Sequence, residues 1–164
     1  MFSTPTDATV YALAGSKKYL HRLVAGLKPE DFEFQPVPGA NCIAWILGHL
    51  TLTERRQLRW LGIETLPALP EGFEERFATT RTKASVQSGF GDPQELIAAF
   101  DAHRDLLIAS LPDVDPAILA TPVEPLRPMF NSLAEATLFM ALHTMLHLGQ
   151  ISTIRRARGY DPLS

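Results

Sequence analysis

A chain of 164 residues with a net charge of -3, 46% hydrophobic and 20% charged residues has the length of one domain, here taken as residues 1–164. Its single cysteine excludes an internal disulfide framework and any multi-cysteine zinc or iron–sulfur site, so a metal would need histidine and carboxylate ligands. Mild acidity argues against broad attraction to nucleic acid, and no apolar run nears the roughly 18 residues that span a bilayer. The N-terminus lacks the basic and apolar regions of a secretory signal, and the expectation is a cytoplasmic protein with no nucleic-acid or membrane partner.

Four segments carry helical periodicity. The first runs from about Thr6 to Leu27, with Val10, Leu13, Leu20, Val24 and Leu27 at helical spacings, and Lys28-Pro29 stops it. The second spans Asn41 to about Leu61, with Asn41 as the expected N-cap and Gly62 as the stop. The short link between these two predicts antiparallel neighbours. About thirty residues of weak periodicity follow, from Gly62 to Gly91, in which Glu71 to Phe77 reads as a short helix. The third long helix opens on Asp92, Pro93 and a box-like Glu95, and ends at Pro112. A short turn of helix is expected near Pro116 to Leu119. The fourth opens on Ser132 with Glu135 three residues on, and runs to about Arg158 before Gly159 and Pro162. The basic cluster Arg155, Arg156 and Arg158 suits the negative end of that helix. The fold class is all-α.

Five histidines set against one cysteine carry most of the chemical information. His143 and His147 are four apart, so their rings share one helix face and can ligate one ion. Ala136, Met140, Gln150 and Ile154 lie on that face, which points the pair inward. The residues between them are Thr-Met-Leu, so the glutamate of a zinc-protease motif is absent. Such a pair equally fits two hydrogen-bonded histidines. His49, on a face with Cys42 and Trp45, completes a set of three nitrogen ligands if the second helix meets the fourth; alone it reads as an ordinary buried histidine. Glu54 and His103 are candidates for acid/base or ligand-orienting work, against solvated and flanking positions respectively. Cys42 is a candidate nucleophile or soft ligand, or a small buried hydrophobe. Arg55 and Arg56 could hold an anionic substrate or simply face solvent, and His21 sits at the edge of the first stripe.

Two stretches, PGANCIAWILGHL from Pro38 to Leu50 and HTMLHLGQISTIRRARG from His143 to Gly159, resemble the DinB-like (YfiT-like) superfamily of metalloenzymes, a damage-inducible family distinct from the similarly named DNA polymerase. The resemblance implies a four-helix bundle with a long crossover between the second and third long helices, usually homodimeric. It implies a divalent cation, nickel or zinc, on His49, His143 and His147. It further implies a metal-dependent enzyme, for some relatives a transferase or isomerase that takes a low-molecular-weight thiol as cosubstrate. The expected reaction is attack on a small electrophilic substrate by a water or thiol whose pKa the metal lowers. The competing expectation is a non-catalytic dimer whose metal site is structural or serves storage or sensing.

Overall fold

The computed structural model describes residues 2–77, 89–123 and 129–163. Among them there are six α-helices and no strand: α1 (Pro5–Val24), α2 (Ile43–Trp60), α3 (Phe73–Phe77), α4 (Pro93–Ser110), α5 (Pro116–Leu119) and α6 (Leu133–Ala157). The short helices α3 and α5 fall where the sequence places them. Residues 78–88 of the crossover and residues 124–128 lie outside the described residues.

Helix boundaries follow local chemistry. Thr4 accepts from the Asp7 N–H while the Asp7 carboxylate accepts from the Thr4 N–H, a capping box ahead of Pro5. The helix ends at Val24 rather than Leu27, because Ala25 turns extended and Gly26 takes a φ of 73° that favours glycine. Asn41 does not cap α2. Cys42 occupies the N-cap without a side-chain cap bond, which frees the Asn41 amide for α6. In α4 Asp92 caps through the Gln94 N–H, and in α6 Ser132 accepts from the Glu135 N–H. The Glu135 carboxylate accepts from the Asn131 N–H instead of closing the box.

The long helices pack as α1 on α6, α2 on α4, α2 on α6 and α1 on α4. Gln57 of α2 reaches Thr137 near the start of α6, while His49 meets His143 and His147 further along, so α2 and α6 are antiparallel. Leu96 and Phe100 of α4 cluster with Ile43 to Leu50, and Leu107 and Leu111 with Leu58 and Leu61, so α2 and α4 run parallel. A parallel pair must return the chain along the helix, about 27 Å for eighteen residues at 1.5 Å each, and this accounts for the long crossover. Consecutive α1 and α2 are diagonal partners, not the neighbours that their link predicts. The link turns through the 3₁₀ segment Pro29–Asp31, where buried Asp31 accepts from Arg158 and from Tyr160 Oη.

The crossover is pinned where Phe77 packs flat over Gly48 on α2. A Cβ at Gly48 would overlap the Phe77 ring, so glycine here permits close approach. Phe77 stacks on Phe90 and meets Phe73 at a tilt, and all three are buried, each contributing about 1.5–3 kcal/mol through area removed from water. The basic cluster is largely consumed by the protein: Arg155 donates to the carbonyls of Leu23 and Ala25 at the end of α1. No described helix is long and apolar enough to cross a membrane.

Candidate metal centre

Antiparallel α2 and α6 bring His49 against His143 and His147. The Nε2 atoms of His49 and His143 are 3.2 Å apart, and those of His143 and His147 3.0 Å apart. All three ligand atoms lie within 4.8 Å of one another. Metal–imidazole bonds of about 2.0–2.1 Å place adjacent nitrogens about 2.9–3.4 Å apart, which matches both short separations.

Proton counting gives an independent reason for a cation. His147 Nδ1 lies 3.0 Å from Gln150 Oε1, which also accepts from Asn41 Nδ2. Nδ1 therefore carries the His147 proton, and Nε2 presents a lone pair. His143 Nε2 faces a nitrogen on either side, and one proton cannot lie on both lines. In any neutral arrangement at least one of the two short contacts has no hydrogen bond along it: either two lone pairs face each other, or the His143 proton points along the other contact. Protonation is no escape: burial first, then the neighbouring histidines and Arg56, push His49 down to about 3. Burial, His147, Arg56 and Arg104 push His143 down to about 4. Burial also lowers His147 against the opposing Gln150 bond. A divalent cation satisfies three converging lone pairs at once, and the donor set fits it.

The surroundings fix the rings. Trp45 stacks on His49 with centroids 4.7 Å apart and planes 9° apart, and its edge meets His147. Phe139 stacks on His143 at 5.9 Å and 11°. His147 is buried, whereas His49 and His143 are half-buried, so the centre is accessible from one side. Gln150 is exposed rather than inward-facing, yet its amide orients His147.

The other predicted residues lie elsewhere. His103 is fully buried with both nitrogens engaged: Nδ1–H donates to Ala99 O and Nε2 accepts from Arg55, outside the histidine cluster. Burial and then Arg55, against the Ala99 bond, hold it neutral. Glu54 is not a solvated charge; it is buried against Arg104. Cys42 is corrected as a nucleophile, because burial pushes its thiol up to about 11, and it is outside the cluster. Arg55 is committed to Glu74 and the Pro67 carbonyl. Arg56 is exposed, with its guanidinium 5.3 Å over the Trp60 ring. His21 is partly exposed beside Asp101. No sequence motif singles out Phe139, Arg104 or Thr144.

Residues 12–151 match the model of the DinB superfamily. The chain belongs to the DinB superfamily. No curated protein matches it. The DinB match covers α2 and α6 as far as Ile151, and so includes all three clustered histidines.

The depressed histidines give the metal-free DinB protein a signed pH dependence. Below about 6.5 the unfolded chain takes up protons that the folded chain refuses until about pH 4 or lower, so the stabilising difference is complete above 6.5 and shrinks toward 4. Thermal midpoints in chelator at pH 7.5, 6.0 and 5.0 should fall in that order. A flat profile would contradict neutral buried rings.

Proposed function

We propose that this DinB superfamily protein is a four-helix bundle enzyme that depends on a divalent cation, nickel or zinc, held by His49, His143 and His147. The convergence of three Nε2 atoms at ligand spacing carries this reading. Such a cation supplies Lewis-acid activation, lowering the pKa of a water or thiol in a remaining coordination position. The chain does the rest: Gln150 and Asn41 fix His147, while Trp45 and Phe139 hold the other rings and dry one side of the site. Imidazole-only ligation leaves the cation's charge uncompensated, and Arg56 adds a positive field acting on His49 and His143. Both favour an anionic fourth ligand, which supports a low-molecular-weight thiolate as cosubstrate of a transferase.

The test is ligand-induced stabilisation of zinc- and nickel-loaded protein by common cellular thiols, with metal content measured on protein purified without a histidine tag. Thiol-dependent stabilisation together with a water-exchangeable fourth position is the expected outcome. A closed four-ligand shell insensitive to thiols would replace catalysis by a structural or storage role, and no metal uptake would remove both.

A second copy is the proposed protein partner. Leu138, Leu142, Met145 and Leu146 form an exposed apolar stripe on the outer face of α6, and Tyr11 and Tyr19 of α1, which packs on α6, are exposed as well. Leu142→Glu should convert a dimer to a monomer in sedimentation, leaving helicity intact. A wild-type monomer at micromolar concentration would overturn the proposal.

A further inference from the structure

The bundle core is not continuous. One apolar cluster contains Ile43 to Leu50 of α2 with Leu148, Ile151 and Ile154 of α6, and another contains Leu58 with Leu133, Ala136 and Met140. Between them lies a polar layer centred on Arg104 of α4, which is wholly buried. Its Nη1 donates to Leu13 O at 2.9 Å and Ser16 Oγ at 2.7 Å on α1. Its Nη2 donates to Glu54 Oε1 at 2.5 Å on α2 and to Thr144 Oγ1 at 2.8 Å on α6.

Helices α4 and α6 are diagonal and share little surface, so this one side chain crosses the interior to join them. Packing alone gives no reason for it. A buried ion pair contributes no more stability than well-packed apolar side chains of similar volume, whereas it strongly penalises any register that leaves a charge unpaired. The bond to α6 lands on the residue after His143. Thr144 in turn donates to Met140 O one turn back, so its hydroxyl has a single fixed direction. Sliding or rotating α6 against α2 breaks the Arg104 bond and simultaneously displaces His143 and His147 from His49.

We infer that Arg104, anchored by Glu54, is the positioning residue of the histidine centre, and that its bond to Thr144 sets the spacing of the α6 histidines against His49. This rests on the centre being a metal site. Glu54 accordingly acts through Arg104 and not as a proton carrier. Metal centres hold ligands to within about half an ångström, and loss of orienting partners weakens metal binding about tenfold to a hundredfold.

Zinc affinity by chelator competition and the visible spectrum of the cobalt-loaded protein test this in wild type, Thr144→Val, Thr144→Ser and the double variant Glu54→Leu/Arg104→Met. Thr144→Val keeps the side-chain volume and removes the acceptor; Thr144→Ser keeps the acceptor. The expected result is zinc binding about tenfold or more weaker in Thr144→Val and in the double variant, with an altered cobalt spectrum, and near-complete rescue in Thr144→Ser. Circular dichroism in chelator should show the metal-free variants folded; should the double variant not fold, the valine–serine comparison decides. Wild-type affinity and spectrum in Thr144→Val would overturn the positioning role and leave the metal site standing. Failure of wild type itself to bind zinc or cobalt would remove the metal site and this inference with it.

Discussion

His143→Ala is expected to abolish stoichiometric nickel or zinc binding, lowering affinity by more than the roughly hundredfold that changes to orienting partners produce. His143 is the middle member of the three, with its Nε2 3.2 Å from His49 and 3.0 Å from His147. Its loss removes a ligand and separates the other two. The metal-free protein should scarcely notice, because the substitution also removes the nitrogen contact that no neutral tautomer satisfies. The contrast therefore appears in linkage. A hundredfold excess of free metal over Kd stabilises the wild type by about 2.7 kcal/mol, or about 5–10 °C in Tm for a domain of this size. His143→Ala should gain nothing, while His21→Ala, at a partly exposed ring paired with Asp101, should respond like wild type. Equal metal-induced shifts in wild type and His143→Ala would sink the three-histidine site.

Arg104→Leu should be the most destabilising substitution in the core outside the packing residues, by about 3–5 kcal/mol in urea unfolding. The reason is the partner left behind. Glu54 is fully buried, Arg104 Nη2 is the donor to its Oε1, and Oε2 has no donor among the described residues, so removing the guanidinium strands a carboxylate in the core. Against a total stability of about 5–15 kcal/mol this is a large fraction. Removing both charges as Glu54→Leu/Arg104→Met should restore most of the loss, since Thr144 and Ser16 retain local carbonyl partners at Met140 and Leu13. The difference between single and double variants isolates the buried charge from the lost packing. A single-variant loss below about 1 kcal/mol would mean the pair is solvated in solution, contrary to its burial.

The two effects concern one device seen from its two ends. The histidines of the proposed metal site come from α2 and α6, and the polar layer is proposed to fix where those helices meet. Cys42 illustrates the same dependence on context. As a residue type it admits nucleophile, ligand or core hydrophobe, and its burial at the start of α2 selects the last.

The helices were legible because most have a local cause: Asp92 and Ser132 cap starts, Gly62 and Gly159 permit stops, and apolar residues recur at helical spacing. The His143–His147 pair was legible for the same reason, since a four-residue spacing fixes a shared face whatever the fold. His49 could join it only through resemblance, because which helix faces which is a non-local property. The diagonal placement of α1 and α2 was likewise invisible, as link length limits distance without choosing a neighbour. Arg104 and Thr144 carry no motif, and their meaning arises from bonds between positions 40 residues apart. Sequence by itself determined an all-helical DinB chain and the shared face of His143 and His147, through interactions within a few residues. Only the tertiary structure decided the approach of His49 to that pair, the fate of Glu54 and His103 and the helix register, because burial and buried-charge pairing exist only once the helices have packed.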